Sequence, residues 1–183
     1  MTPADGARSL RYDRVAIALH WLIGLALIGQ IVFGVLLDDL APRGTPGRAA
    51  IINLHKSCGM VLGVLIALRL AWRLAHRPPA WPASMSVSQQ RLALWGHRAL
   101  YACMLVMPLS GYVASNFSKH GIRFFGTALR PWGPDLANVY GLFNGLHVVT
   151  AWLFCALIAG HVLVALKHRL VDRDGVMSRV SPF

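Results

Sequence analysis

Four apolar runs, each about long enough to cross a lipid bilayer, constrain this chain more than any other feature. They cover residues 15–37, 53–74, 92–114 and 142–167. A helix needs about 20 residues to span a hydrocarbon layer of about 30 Å. Within that layer only a helix or a closed barrel satisfies every backbone hydrogen bond internally. Runs of this length and uniform apolarity predict helices, so the fold class is all-α: an integral membrane four-helix bundle formed by residues 1–183 as one transmembrane domain. With 56% of its 183 residues hydrophobic, the chain does not suit a soluble domain with a polar surface.

The first run follows Arg8, Arg11 and Arg14 and so resembles a signal peptide. It is about 23 residues long, contains His20, and leads into Asp38 and Asp39 without a small-residue cleavage site. It is therefore expected to remain as a span.

The formal charge of +11 is placed at the membrane flanks. Besides the three arginines before the first span, Arg73, Arg77, Arg91 and Arg98 surround the connection between the second and third. Lys167, Arg169, Arg173 and Arg179 follow the fourth. The other two connections are more balanced: Arg43 and Arg48 face Asp38 and Asp39 in one, and Lys119, Arg123 and Arg130 accompany Asp135 in the other. Under the positive-inside rule both termini and the middle connection lie in the cytoplasm, and the protein is expected to be multi-pass and surrounded by membrane lipid. Basic residues spread over flanks do not form a nucleic-acid-binding face, and no nucleic-acid partner is expected.

Cys58, Cys103 and Cys155 lie within separate spans and have no CxxC spacing, so they predict neither a disulfide nor a zinc site. There is no glutamate, and the seven aspartates lie outside the spans or at their ends, which excludes a carboxylate proton relay through the membrane. No phosphate-binding loop or nucleophile elbow occurs. The prolines of HRPPAWP end the second helix. The long connection from about 115 to 140 is rich in Gly, Pro and aromatic residues, and is expected to form an ordered cap with a short interfacial helix near Trp132.

The chemistry rests with histidine. In LHVVTAWLFCALIAGH, His147 and His161 bracket an otherwise apolar run. Fourteen residues are nearly four helical turns, so the two rings share a face and are separated by about 21 Å along the axis. Each then needs a partner at its own depth. The predicted topology supplies His55 for His147 near the outer surface and His20 for His161 near the inner one, with His97 at similar depth as a rival to His20. Two facing imidazoles between helices are what a six-coordinate haem iron requires for its axial positions. No four-ligand cluster at one depth favours zinc. The alternative is that each ring snorkels or bonds a neighbouring helix, and two depth-matched pairs weigh against it.

Arg69 lies fourteen residues after His55, so it faces the interior at the depth of the inner pair, where a guanidinium suits haem propionates. Arg73, one turn on, suits the same group, or anchors in lipid headgroups. Gly24, Gly59, Gly63 and Gly160 lie near the histidines and suit either porphyrin approach or close helix packing.

The segments ALHWLIG, NLHKSCG, RLAWRLAHRPP, GHRALYACMLVMPLSGY and LHVVTAWLFCALIAGHVLVALKH follow one another in an order that resembles the bacterial cytochrome b561 family, which includes the cytochrome b subunits of nickel hydrogenases. The resemblance covers most of the chain. It implies a four-helix bundle enclosing two b-type haems, with His20, His55, His147 and His161 as axial iron ligands. It places His97 in the family's GH motif, off the iron and toward a haem propionate or a quinone. His76, His120 and His168 are read as solvated or interfacial.

The expected function is electron transfer within the inner membrane between a donor at the outer face and the quinone pool. Irons about 20 Å apart leave porphyrin edges much closer than that, and bis-histidine ligation leaves no open iron position for a substrate. Some family members oxidise superoxide and reduce ubiquinone, and the exposed basic residues Lys119, His120 and Arg123 would steer a small anion. Other members serve as subunits of a partner oxidoreductase, which is the alternative here. A non-redox membrane protein is the more distant one.

Overall fold

In a computed structural model, residues 11–182 are described; Arg8, one of the basic residues ahead of the first span, lies outside them. Four long helices dominate: α1 (Arg14–Val35), α2 (Arg48–Ala75), α3 (Val87–Asn116) and α4 (Ala137–Lys167). All four are long and apolar enough to cross a membrane. Each helix overlaps one expected run, and most extend into polar sequence where caps take over from hydropathy.

Helix α1 starts where the Asp13 side chain accepts a hydrogen bond from Ala16 N at 2.9 Å, a standard way to satisfy an orphan first-turn donor. The same carboxylate accepts from Trp72 Nε1 at 3.1 Å, tying the start of α1 to the end of α2. Burial opposes ionisation of Asp13, yet these two bonds hold its carboxyl below the usual range. A one-turn helix, Leu37–Leu40, follows α1, and Asp38 there pairs with Arg48 at 2.6 Å. Helix α2 ends just before Arg77, Pro78 and Pro79, as the prolines require. Helix α3 opens on a Ser86/Gln89 capping box and runs through Pro108 as one element.

Between α3 and α4 the cap contains a small antiparallel hairpin, β1 (Ile122–Phe124) and β2 (Thr127–Leu129). Its turn residues Phe125 and Gly126 both have positive φ, 44° and 96°, the backbone twist that two-residue hairpins favour. No helix forms at Trp132, contrary to the expectation. Instead Trp132 N donates to Asn116 Oδ1 and its ring meets Phe117 edge-on at 5.1 Å. The segment's backbone is satisfied by α3 rather than by a helix of its own. The hairpin docks on α2 through Ser57, whose hydroxyl is fully buried, accepts from Phe125 N at 3.0 Å and lies 3.2 Å from Arg123 O.

At the other end the C-terminal tail crosses the bundle. Tyr12 N donates to Arg179 O, and Trp21 Nε1 to Val180 O at 2.8 Å. Both described termini therefore lie at one end, hereafter the terminal end, opposite the hairpin end.

The core joins Ile23, Leu27 and Ile31 of α1, Leu62 and Ile66 of α2, Cys103, Met104 and Met107 of α3, and Phe154 of α4. All three cysteines are free, and Cys103 packs in this core. Adjacent helices pack in sequence order, α1 on α2, α2 on α3 and, most extensively, α3 on α4. Among the long helices, α4 packs closely only against α3, and so stands off from α1 and α2.

Candidate cofactor site

The four expected histidines meet across the space between α4 and the first two helices. At the hairpin end the His55 and His147 rings lie with centroids 6.4 Å apart and planes at 87°. At the terminal end His20 and His161 lie 6.2 Å apart at 65°. All four are half-buried. His97 of α3 also meets His161, at 5.6 Å, so three rings cluster there; His97 is the exposed member.

These separations can be compared with metal geometry. With metal–imidazole bonds of about 2.0–2.1 Å and about 1.1 Å from that nitrogen to the ring centre, two imidazoles trans on one metal have centroids about 6.3 Å apart. The His55–His147 and His20–His161 pairs match that figure, while His97–His161 is shorter. At His147 the flanking group fits as well. His147 Nδ1 lies 2.7 Å from Met107 O; since a carbonyl only accepts, Nδ1 carries the proton and Nε2 keeps a free lone pair, the arrangement metal-binding histidines adopt.

Two glycines make room for these rings. A Cβ on Gly111 would sit 3.0 Å from His147 Nδ1, and a Cβ on Gly34 would sit 3.0 Å from His55 Cε1. The glycines singled out by spacing behave differently. Gly59 abuts the Gln30 side chain, Gly63 abuts Pro108, and Gly24 and Gly160 have open space where a Cβ would stand. That openness beside His20 and His161 suits a flat macrocycle.

Arg69 reaches the terminal-end pair. Its Nη2 lies 3.4 Å from His20 Nδ1 and its Nη1 is 3.4 Å from Ala16 O, both at the long limit of hydrogen bonding. Arg73 lies over the Tyr12 ring at 5.8 Å, and its Nη1 is buried without a hydrogen-bond partner. Such a donor calls for an acceptor. Beside it, a cavity of about 160 Å³ is lined by Tyr12, Arg73, Trp81, Leu94, His97 and Arg179.

Several residues at these sites were not legible from sequence spacing. Gln30 of α1 contacts His55. Phe154, almost fully buried, sits seven residues from each of the α4 histidines and so lies between the two pairs. Arg179, expected as a membrane-flank cation, is buried instead: its guanidinium lies over Tyr12 and Trp81 and donates to Pro79 O and Ala80 O. Burial, and then the nearby Arg73, push its pKa down, partly offset by Tyr12. His168, expected to be solvated or interfacial, is also buried and bonds Asp174 at 2.6 Å. His76 does remain exposed, stacked on Trp72 at 3.9 Å, and His120 is exposed.

The model of the prokaryotic cytochrome b561 family matches residues 11–182. The chain belongs to the prokaryotic cytochrome b561 family. Among its relatives, cytochrome b561 homolog 2 of Escherichia coli (strain K12) is 31% identical over 172 residues, covering 93% of this chain and 90% of the relative. Cytochrome b561 homolog 1 of the same organism is 26% identical over 181 residues, 94% and 97% of the two chains. A Yersinia pestis protein named probable superoxide oxidase CybB is 25% identical over 172 residues, 94% and 96%. As a cytochrome b561, the protein is a bacterial membrane electron-transfer protein that binds b-type haem.

Proposed function

We propose that this cytochrome b561 is a dihaem electron carrier of the bacterial inner membrane, with both termini in the cytoplasm, passing electrons from a donor at the hairpin end to a ubiquinone-like quinone at the terminal end. The observation that carries the reading is the pair of ring separations, 6.4 Å and 6.2 Å, one pair at each depth. His55 and His147 would hold one haem b through their ring nitrogens, and His20 and His161 the other. When bound, each haem supplies a one-electron iron couple without an open coordination position.

His20 is preferred to His97 because its separation from His161 fits trans ligation and that of His97 does not. Arg69, which lies over the Tyr101 ring and makes two 3.4 Å contacts, would turn toward a propionate, and the unpartnered Arg73 Nη1 is a donor for the same carboxylates. His97, which lines the cavity with Arg73 and Trp81, then serves the quinone head group or a propionate.

For the donor, the reading is superoxide. Lys119, His120 and Arg123 are exposed at the hairpin end, where they attract a small anion, and the Yersinia pestis relative bears the name of a probable superoxide oxidase. Two superoxide anions each give up one electron, leaving dioxygen; two electrons and two protons convert one quinone to quinol. A partner oxidoreductase as donor is the alternative, and it would have to dock on the same short connections.

A reduced-minus-oxidised spectrum of the purified protein should show a haem b α-band, with two haems per chain by pyridine haemochrome. H147L and H161L should each remove a different haem; unchanged haem content in both variants would overturn the ligand assignment. Reduction by superoxide that slows with salt and in a K119Q/R123Q variant supports superoxide as donor, whereas no reduction supports the partner enzyme.

A further inference from the structure

Gln30 is the only amide within α1, set among aliphatic residues in a span where a polar side chain needs a partner. It finds one in His55. Its Nε2 donates to His55 O at 2.7 Å and lies 3.1 Å from His55 Nδ1. Gly59, one turn after His55, admits the amide, since a Cβ there would stand 3.4 Å from Gln30 Nε2. Gly34 lies against the ring at Cε1, and the Phe33 ring meets it edge-on at 5.4 Å. Helix α1 therefore lines His55 with Gln30, Phe33 and Gly34, and among the described residues Gln30 is the one polar group on its Nδ1.

The two partners at the hairpin end are chemically unlike. Met107 O can only accept, so His147 is fixed with its proton on Nδ1 and its Nε2 lone pair free. A primary amide presents either a donor or an acceptor, depending on its rotation. With the amide nitrogen toward Nδ1, a neutral His55 keeps its proton on Nε2 and lacks the lone pair a metal needs. With Oε1 presented instead, the proton sits on Nδ1 and Nε2 is free. The proton moves between two nitrogens of one ring with no change in net charge, and the amide gives up its bond to His55 O and swings clear of that oxygen, since two acceptors repel at 2.7 Å.

We propose that Gln30 is the positioning residue of the hairpin-end haem site: its amide rotation makes His55 ligand-ready, and its hydrogen bond to Nδ1 sets the affinity and potential of the haem that His55 holds. This rests on the dihaem reading above. A stronger acceptor on Nδ1–H makes the imidazole more electron-rich and favours ferric iron, while removal of the acceptor favours ferrous iron.

The test is a potentiometric and spectroscopic comparison of Q30L, Q30E and wild type as purified holoproteins, with H147L marking which haem is which. The expected result is a midpoint shift confined to the hairpin-end haem, upward in Q30L and downward in Q30E, with an altered low-spin ferric EPR signal for that haem alone. Q30L should also weaken retention of that haem by about 10- to 100-fold, the usual effect of losing such a partner, and Q30E should restore it. Two haems with unmoved midpoints in both variants would overturn the role of Gln30 and leave the dihaem reading standing. Equal loss of both haems would also overturn it, as a general packing defect. Wild-type protein without haem would overturn the dihaem reading itself.

Discussion

Adding one methyl group at Gly111 tests whether the α3 backbone fixes the His147 ring. The new Cβ would lie 3.0 Å from Nδ1 and 3.1 Å from Cε1. Ordinary contact begins at about 3.5 Å between heavy atoms, so the ring must retreat by about 0.5 Å. It retreats from the side on which Nδ1 holds Met107 O at 2.7 Å, so that bond lengthens toward the limit for an N–H donor. Overpacking of this size costs about 1–3 kcal/mol, and Gly to Ala within a helix returns about 0.5–1 kcal/mol. The balance is a penalty of about 1 kcal/mol, or about fivefold in an equilibrium. Haem titration of apoprotein G111A should therefore show affinity about fivefold weaker at the hairpin-end site and unchanged at the terminal-end site. G29A is the control, because a Cβ at Gly29 meets nothing within 4 Å. If G111A and G29A bind both haems like wild type, the ring is not wedged as argued.

Two further perturbations probe the elements that frame the sites. In S57A the Phe125 amide loses its buried acceptor, at a cost of about 1–3 kcal/mol, so amide exchange and proteolysis in 122–129 should accelerate while the α4 helix stays protected; an unchanged hairpin would show that its attachment lies elsewhere. At the terminal end, Asp174 is held below the usual carboxylate range, because bonds from Val176 N and His168 outweigh the opposing effect of burial. A depressed carboxylate contributes stability that is complete above its unfolded value of about 3.9 and is lost as pH falls through the folded value. Hydrogen exchange of the tail should be flat from pH 7 to 5 after correction for intrinsic rates, and rise only below about 4. A rise already complete at pH 5 would rule out Asp174 as the group responsible.

How much of this was readable in advance depends on which coordinate a residue controls. Hydropathy located all four helices but not their ends. The Ser86/Gln89 capping box and the residues around Gly47 lengthen α3 and α2 beyond their apolar stretches through local hydrogen bonds that a hydropathy window does not register. The hairpin was missed because three-residue strands carry almost no periodic signal, and its anchor, Ser57, lies in another helix.

The histidines were readable because helical rise converts sequence spacing directly into depth. Four residues thereby fell into two levels, and the structure brings each level together at about 6 Å. Depth along one helix does not reveal which group of a neighbouring helix will face a ring, however. Gly24, Gly59, Gly63 and Gly160 lie near the histidines in sequence, yet the glycines touching His55 and His147 are Gly34 and Gly111, each on a helix other than the one carrying the ring. The same holds for Gln30, which reaches His55 from α1, and for Met107 O, which reaches His147 from α3. The depth of each histidine is thus written within a helix, whereas ring orientation is written between helices. A homologue could keep every histidine and still differ in potential, if the neighbouring helix presented another group to Nδ1.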